Sequence, residues 1–307
     1  MKGRFILLAT EIFFVLTAGI GIIWKRSIMN DSFIPVIIVM AAGLVLMLIQ
    51  GYFNIIKPYS GKIKALEEAA EESKAAEMLR REFVANVSHE LKTPLTSISG
   101  FIETLQAGAS EDPEIRHKFI DIIAIETARL KRLIEDLLVL SDIENRRDSD
   151  GSKFEIKKAI IDTVETLRPI SQAKNVTVIT ELEDELLIEG SVDRFRQMMV
   201  NLIENAVKYS DEGGRIWVKA SASGGKITVS VRDEGIGIAP EHHERLFERF
   251  YRVDKSRSKK AGGTGLGLSI VKHIAVLFGA SLKVESQVGE GTEFFVIFDA
   301  EDKMNNS

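Results

Sequence analysis

The stretch FVANVSHELKTPL, residues 83–95, belongs to a pattern that predicts the first long helix of a helical hairpin. Apolar residues recur there at three- and four-residue steps, which places them on one face of an α-helix. They are Val84, Val87, Leu91, Leu95, Ile98, Ile102 and Leu105. His89 lies two positions from both Val87 and Leu91, about 200° around a helix of 3.6 residues per turn. We therefore predict that His89 points away from the buried stripe, into solvent.

A second helical pattern follows after a short break. Gly108 ends the first pattern, and Asp112-Pro113 offers a helix N-cap followed by proline at the first helical position. The next apolar positions fit a heptad in which Glu126 fills the missing place; they are Phe119, Ile123, Leu130, Leu133, Leu137 and Leu140. A short connection between two such helices makes an antiparallel hairpin. Because one hairpin would leave much of both stripes in water, we expect a homodimer with a four-helix bundle.

The neighbours of His89 narrow its chemistry. His89-Glu90 begins like the H-E-x-x-H motif of zinc proteases, but the fifth position is Thr93, so that motif fails. Pro94 leaves the backbone carbonyl of Glu90 without its helical donor and loosens the helix there. Thr93 lies one turn from His89 on the same face. The alternative is an incidental surface histidine.

Beyond Ser152 short strand patterns alternate with helical ones. Strands are predicted at 176–180, 186–189, 216–220, 227–232, 282–285 and 293–298, and helices at 157–167, 192–208 and 266–278. Helices gathered on one face of a mixed sheet make an α/β sandwich. On the middle helix, Asn201, Asn205 and Lys208 share one stripe. Such a stripe can hold a metal-bound triphosphate, and a polar solvent face is the alternative.

Glycine-containing segments add to this stripe. Asp233 ends a strand ahead of Gly235 and Gly237, two glycines that let backbone approach a ligand closely. Residues 263–267, Gly-Thr-Gly-Leu-Gly, precede the last helix, whose N-terminus suits a phosphate. Residues 289–292 alone predict a hairpin turn. The sequence contains neither a Walker A motif nor a Rossmann fingerprint.

Residues 83–95 resemble the phosphoacceptor box of sensor histidine kinases. The later segments resemble, in sequence order, the boxes of that family's Bergerat or GHKL-type ATP-binding domain, and the subgroup likeness is to phosphate-regulon-type sensors. The resemblance implies His89 as the phosphoacceptor and Glu90 as the general base that orients the imidazole. It also implies that Thr93 positions water for the reverse phosphatase activity.

The same resemblance implies ATP and Mg²⁺ as cofactors. Asn205 is implied as the Mg²⁺ ligand, Asp233 as the reader of the adenine amino group, and Arg252 as a residue near the phosphates. The other implied nucleotide-binding residues are Asn201, Lys208, Tyr209, Gly235, Gly237, Gly263, Thr264, Gly265, Leu266, Gly267 and Thr292. Residues 246–252 resemble the phenylalanine box. The Lys- and Arg-rich residues 249–260 predict a mobile basic lid over the triphosphate.

The first 56 residues differ from the rest in being almost wholly apolar. Residues 5–24 carry one charge, Glu11, residues 33–56 carry none, and each run is long enough to cross a bilayer. We expect two transmembrane helices, with a cleavable signal peptide as the alternative for the first. Glu11 either faces a partner helix or water, or is a tolerated glutamate near the interface. A site for cytosolic ATP places both termini and the kinase domains on the cytoplasmic side of the cell (inner or plasma) membrane.

The amino-acid composition excludes several other classes of protein and site. Cysteine is absent from the 307 residues, which excludes disulfide scaffolds, thiolate zinc sites and cysteine nucleophiles. A net charge of −5 without a long basic tract argues against nucleic acid as a partner. The expected domains are a transmembrane hairpin (1–56), a helical signalling linker (57–81), a dimerisation and phosphotransfer domain (82–147) and an ATP-binding domain (150–302).

The predicted function is that of a membrane-bound sensor histidine kinase. It would autophosphorylate on His89 and pass the phosphoryl group to an aspartate of a cognate response regulator, with phosphatase activity in reverse. Its expected partners are a second copy, the regulator, membrane lipid and a membrane protein as the source of the signal. Two alternatives stay open: a GHKL-type ATPase without a phosphohistidine, and a non-catalytic membrane receptor.

Overall fold

The computed structural model describes residues 17–26, 28–29, 34–53, 57–145, 152–254 and 263–299. Contacts between Cα atoms divide the chain into two units, residues 1–82 and 83–307.

In the first unit, residues 17–26 are helical and helix α1 spans Ile34–Gly51. Within the described ranges, no helix meets the length and apolarity that a membrane crossing requires. Most of the predicted first span, Glu11 included, lies outside the described residues, as do both ends of the predicted second span.

Two long helices carry the hairpin sequence. Helix α2 spans Lys57–Gln106, so the predicted linker and the first hairpin helix are one continuous helix that runs through Pro94. A 3₁₀ turn at Ala109–Glu111 leads to helix α3, Pro113–Asn145. The side chain of Asp112 accepts hydrogen bonds from the backbone N–H groups of Glu114 (2.9 Å) and Ile115 (3.2 Å). The predicted aspartate N-cap is therefore confirmed.

Helices α2 and α3 pack antiparallel. The rings of Phe101 and Phe119 lie 4.9 Å apart between centroids, while Glu90 contacts Arg129, so earlier residues of α2 meet later residues of α3. Three apolar side chains of the predicted α2 stripe, Val84, Leu95 and Ile102, remain exposed in the single chain, whereas the predicted α3 stripe is buried or half-buried. Further exposed apolar side chains of α3 lie outside its predicted stripe; they are Ile120, Ile125, Ile134 and Leu138. The expectation that one hairpin leaves both stripes in water is therefore confirmed only for part of the α2 stripe, while other apolar residues of α3 are exposed instead.

The second half of unit two is an α/β sandwich, as predicted. The strands are β1 Lys153–Glu155, β2 Thr177–Leu182, β3 Leu187–Glu189, β4 Arg215–Ser223, β5 Lys226–Asp233, β6 Ser281–Gln287 and β7 Gly291–Asp299. Five of them form a sheet with the order β2-β4-β5-β7-β6, and a two-stranded sheet pairs β1 with β3. Only the β2–β4 pair of the larger sheet is parallel.

Three helices, α4 (Ile156–Ala173), α5 (Val192–Tyr209) and α6 (Gly267–Leu277), supply the other side of the core. Every second residue of the central strands is buried against them, for example Val218, Val231 and Val296. Because β5 lies between β4 and β7, its last residue, Asp233, comes to the edge of the core beside Thr292. The alternation of buried and exposed residues that predicted β5 therefore also determines where Asp233 lies.

Candidate active site

His89 lies on the open surface of α2. Its side chain is 79% exposed, so the predicted orientation into solvent is confirmed. The hydroxyl of Thr93 donates a hydrogen bond to the His89 carbonyl at 3.1 Å, which fixes Thr93 one turn away. On the other side, His89 Nδ1 lies 4.0 Å from Glu90 Oε1. A carboxylate oxygen thus lies near one nitrogen of the exposed imidazole.

The carboxylate of Glu90 is held by two arginines. Arg129 of α3 donates to Glu90 Oε2 at 3.0 Å, and Arg252 donates to the same oxygen at 2.8 Å. Both arginine side chains are only 7% exposed. Charge-assisted bonds of this kind are short and directional, so they fix the rotation of the carboxylate next to His89.

Arg252 also connects the hairpin with the glycine-rich segment. Its guanidinium donates to the carbonyl of Thr264 at 2.7 Å. The hydroxyl of Thr264 in turn donates to Asp136 Oδ2 on α3 at 2.6 Å. Burial raises the pKa of Asp136, and the hydrogen bond from Thr264 partly offsets that rise. The segment that precedes α6 is therefore bonded to the hairpin directly at Asp136 and indirectly through Arg252, which also bonds to Glu90.

Positive charge concentrates around Lys208. Burial, followed by the nearby charges of Arg252 and Arg132, lowers the pKa of Lys208 to about 8. The Lys208 ammonium lies 5.1 Å from the ring centroid of Tyr209. A buried lysine beside two arginines gives this part of the site a positive potential, which favours a polyanionic ligand such as a triphosphate.

The amide of Asn201 lies against the first residue of α6. A Cβ atom at Gly267 would come within 3.1 Å of Asn201 Oδ1, so glycine permits this close approach. The Asn201 side chain donates to the carbonyl of Gln197 at 3.0 Å. Asn205 follows one turn later on α5 and is partly exposed. Asn201, the first residue of the predicted stripe, thus borders the N-terminus of α6.

Asp233 is a buried acid, with 4% of its surface exposed. Its Oδ1 accepts a hydrogen bond from the backbone N–H of Gly235 at 2.8 Å, and the backbone of Thr292 provides another. Burial raises the pKa of Asp233 to about 6, although both hydrogen bonds lower it. A buried carboxyl of this kind can accept a hydrogen bond from a ligand amine.

Glycines keep the backbone close around Asp233. A Cβ atom at Gly235 would lie 2.3 Å from the carbonyl oxygen of Tyr209, and one at Gly237 would lie 1.9 Å from that of Gln287. Gly237 also has a φ of +65°, which L-residues rarely adopt. The predicted close approach of backbone is therefore present at both positions.

The segment 263–267 packs against the phenylalanine-box segment. A Cβ atom at Gly265, whose φ is +78°, would lie 2.9 Å from the Cα atom of Phe250. Leu266 is fully buried, and Gly263 is partly buried. Residues 255–260 of the predicted lid lie outside the described residues. The structure thus joins the predicted boxes into one continuous region.

Sequence reasoning missed Arg129 and Asp136, the two α3 residues that bond to Glu90 and Thr264. They lie seven residues apart, so they share a face of α3 with Glu126. Three charged residues on one face of a heptad helix could have indicated buried polar contacts, although the spacing does not predict which residues they contact. Ser286, which accepts from the Ile238 N–H at 2.8 Å and donates to the Gly291 carbonyl, was also missed.

Comparisons with known proteins agree with this arrangement. The model described as His Kinase A (phospho-acceptor) domain matches residues 79–146. The model described as Histidine kinase-, DNA gyrase B-, and HSP90-like ATPase matches residues 190–302. Sensor protein kinase WalK of Staphylococcus saprophyticus is 39% identical over 250 residues, which are 79% of this chain and 40% of the relative. The chain therefore spans about two-fifths of that relative's length.

Two solved structures share the architecture. Histidine kinase ThkA in complex with response regulator protein TrrA has a TM-score of 0.60 and 27% identity, over 72% of this chain and 62% of that chain. Full-length ShkA in complex with AMPPNP has a TM-score of 0.52 and 28% identity, over 71% of this chain and 45% of that chain. With both domain models matched in order, the chain belongs to the sensor histidine kinases of two-component systems.

Proposed function

We propose that the chain transfers the γ-phosphoryl group of ATP to His89 and then to an aspartate of a cognate response regulator. The observation that carries this is the position of Glu90, which lies beside the exposed His89 and bonds to Arg252 of the ATP-binding domain. The likeness to ThkA, solved with a response regulator, and to ShkA, solved with AMPPNP, supports both partners.

The nucleotide would lie between α5, β5 and the start of α6. Asp233 would accept a hydrogen bond from the adenine amino group, with Gly235, Gly237 and Thr292 around it. The triphosphate would extend toward Lys208 and the glycine segment, whose members are Gly263, Thr264, Gly265, Leu266 and Gly267. Tyr209 and Asn201 would border the ligand.

Asn205 would hold Mg²⁺. A carboxamide oxygen is a hard ligand that suits Mg²⁺, which is usually bound by one or two protein oxygens together with substrate phosphates and water. The bound cation would neutralise charge on the phosphates as the terminal bond breaks. The partly exposed position of Asn205, one turn from Asn201, fits this role.

The chemistry at His89 follows from its two nitrogens. With Nδ1 toward Glu90 Oε1, Nε2 is the nitrogen that faces away and would attack the γ-phosphorus. The new N–P bond forms as the bond to the β–γ bridging oxygen breaks, and ADP leaves. Glu90 would accept the Nδ1 proton, which keeps the phosphohistidine neutral at the ring. Thr93 would position water for dephosphorylation of the regulator.

The assembly would be a homodimer at a membrane. The exposed apolar side chains of α2 and α3 give a second hairpin a surface to cover, as in a four-helix bundle. The apolar runs 5–24 and 33–56 would anchor the chain as a two-pass protein of the cell membrane, with the kinase domains cytoplasmic. Lipid and a membrane protein that supplies the signal would be the partners there. Membrane flotation of the full chain, compared with a chain that lacks both runs, tests the anchor.

The decisive experiment is labelling of the full chain with γ-labelled ATP. We expect acid-labile, base-stable label in the parent and none in His89→Gln. His117→Gln is the matched control, because His117 is an exposed histidine of the same hairpin. ATP hydrolysis without label would favour a GHKL-type ATPase. Absence of both nucleotide binding and label would favour a non-catalytic receptor.

A further inference from the structure

A buried arginine of the second hairpin helix bonds to the acid beside His89. Arg129 lies on α3 and donates to Glu90 Oε2 at 3.0 Å, with 7% of its side chain exposed. Removing a guanidinium from water costs several kcal/mol unless anions compensate it. Its bond to Glu90 is therefore not an incidental surface pair, whose contribution would be small.

The two oxygens of Glu90 are in different environments. Oε2 accepts from both arginines, Arg129 and Arg252, whereas Oε1 lies 4.0 Å from His89 Nδ1. Anchoring Oε2 fixes the plane of the carboxylate and so directs Oε1 toward the imidazole. Of the two anchors, only Arg129 belongs to the hairpin itself.

Glu126 lies on the other side of Arg129. Its Oε2 is 3.6 Å from Arg129 Nη1, and both of these atoms are buried without a hydrogen-bond partner. Two carboxylates therefore face two guanidiniums while Arg252 contacts Glu90. Because Arg129 lies between both acids, it would still hold Glu90 if Arg252 turned to the phosphates of ATP.

We propose that Arg129 is a positioning residue for the phosphorylation of His89, acting through Glu90. It orients the carboxylate that receives the Nδ1 proton, and it does so independently of where Arg252 is bound. This role rests on the proposed function. It is distinct from phosphate binding, since the bond of Arg129 to Glu90 stays within the hairpin.

The test compares Arg129→Gln, Arg129→Lys and the control Lys131→Gln in the full chain. Lys131 is an exposed cation of the same helix, with 77% of its side chain exposed. For Arg129→Gln we expect the rate constant of autophosphorylation at saturating ATP to fall by about 10-fold or more, because misplacement of a reacting group is costly. The KM for ATP should stay within about 2-fold, since Arg129 would not touch the nucleotide. Arg129→Lys should recover part of the rate, because lysine keeps the charge without the planar fork.

A double variant separates positioning from general damage. If Arg129 acts through Glu90, Glu90→Gln combined with Arg129→Gln should be no slower than Glu90→Gln alone. Fully additive losses, a parent-like rate in Arg129→Gln, or a raised KM with an unchanged rate would each overturn the role. Arg129→Lys guards against misfolding, and a lysine variant that keeps native helicity and ATP affinity but recovers none of the rate would also count against the role. A parent chain without acid-labile label would instead overturn the proposed function itself.

Discussion

Replacing Asp233 with asparagine should change both the free energy of unfolding and the affinity for nucleotide, because both depend on the Asp233 carboxyl group. The pKa of Asp233 is raised from 3.8 to about 6 by burial. The folded chain therefore binds more protons than the unfolded chain between about pH 4 and 6, and stability falls as pH rises through that window. Each pKa unit corresponds to 1.36 kcal/mol, so the ionised carboxylate costs the folded state about 3 kcal/mol at pH 8.

Asparagine cannot ionise, so the variant should escape this pH dependence. At pH 5 the parent has already incurred roughly half of that cost, because a group with its unfolded pKa has lost its proton there while the buried acid has kept it. The free energy of unfolding of Asp233→Asn, minus that of the parent, should therefore be about 1.4 kcal/mol more positive at pH 8 than at pH 5. Asparagine offers one acceptor oxygen to the two backbone donors, and a weaker bond there shifts this difference equally at the two pH values.

Urea unfolding followed by tryptophan fluorescence measures the difference. The chain has two tryptophans, Trp24 and Trp217, and Trp217 on β4 lies one register position from the pair that contains Asp233. A Trp24→Phe background thus makes the signal report on this sheet. Asp211→Asn, at an exposed acid, is the matched control. A difference for Asp233→Asn that is constant or shrinks as pH rises would refute the reasoning.

Nucleotide affinity should move in the opposite direction. The adenine amino group would lose its acceptor, and spoiling a buried hydrogen bond costs about 1–3 kcal/mol. Calorimetry with ATP should therefore show about 5- to 150-fold weaker binding in Asp233→Asn. Unchanged affinity would remove Asp233 from the adenine site, whatever the stability result.

Three further changes test other parts of the site. Thr93→Ala should spare autophosphorylation but slow dephosphorylation of the regulator, and equal phosphatase rates would leave Thr93 a helix residue only. Gly265→Ala should weaken ATP binding and lower the unfolding free energy by about 1–3 kcal/mol, whereas Gly213→Ala, with a similar φ but open space, should incur only the backbone strain. Leu138→Glu should shift the chain from dimer to monomer in sedimentation, whereas Val276→Glu, equally exposed on α6, should not.

The periodic parts of the fold were predictable because they are local. The alternation of β4, β5 and β7 and the stripe of α5 depend on spacing within each element, and the structure has them within a few residues of the predicted limits. The end of α4 was not predictable in this way. The helix predicted over 157–167 was too short, because α4 continues through Pro169 to Ala173. Burial of residues on both sides, such as Leu167 and Ser171, outweighs the hydrogen bond that proline removes.

Contacts between distant segments could not be predicted from the sequence, because periodic patterns describe only residues within one element. Glu90 and Arg252 are separated by 162 positions, and no spacing rule connects a helix residue with a loop so far along the chain. The resemblance implied Arg252 near the phosphates, whereas the structure has its guanidinium on Glu90 and on the carbonyl of Thr264. Its phosphate role therefore remains a prediction that involves release from Glu90.

Some site residues can nevertheless be found in the sequence, because they are acidic residues at positions where the pattern of the helix or strand predicts a buried apolar residue. Glu126 occupies a heptad position that apolar residues fill elsewhere in α3, and Asp233 ends a strand whose alternate positions are buried. Each acid costs the fold something, since a buried charge must be compensated or protonated. Such violations persist at functional sites because the compensating contact is part of the function. For Glu126 that contact is Arg129, and for Asp233 it would be the ligand amine of the proposed function. The two departures therefore point to the hairpin side and the nucleotide side of one proposed reaction.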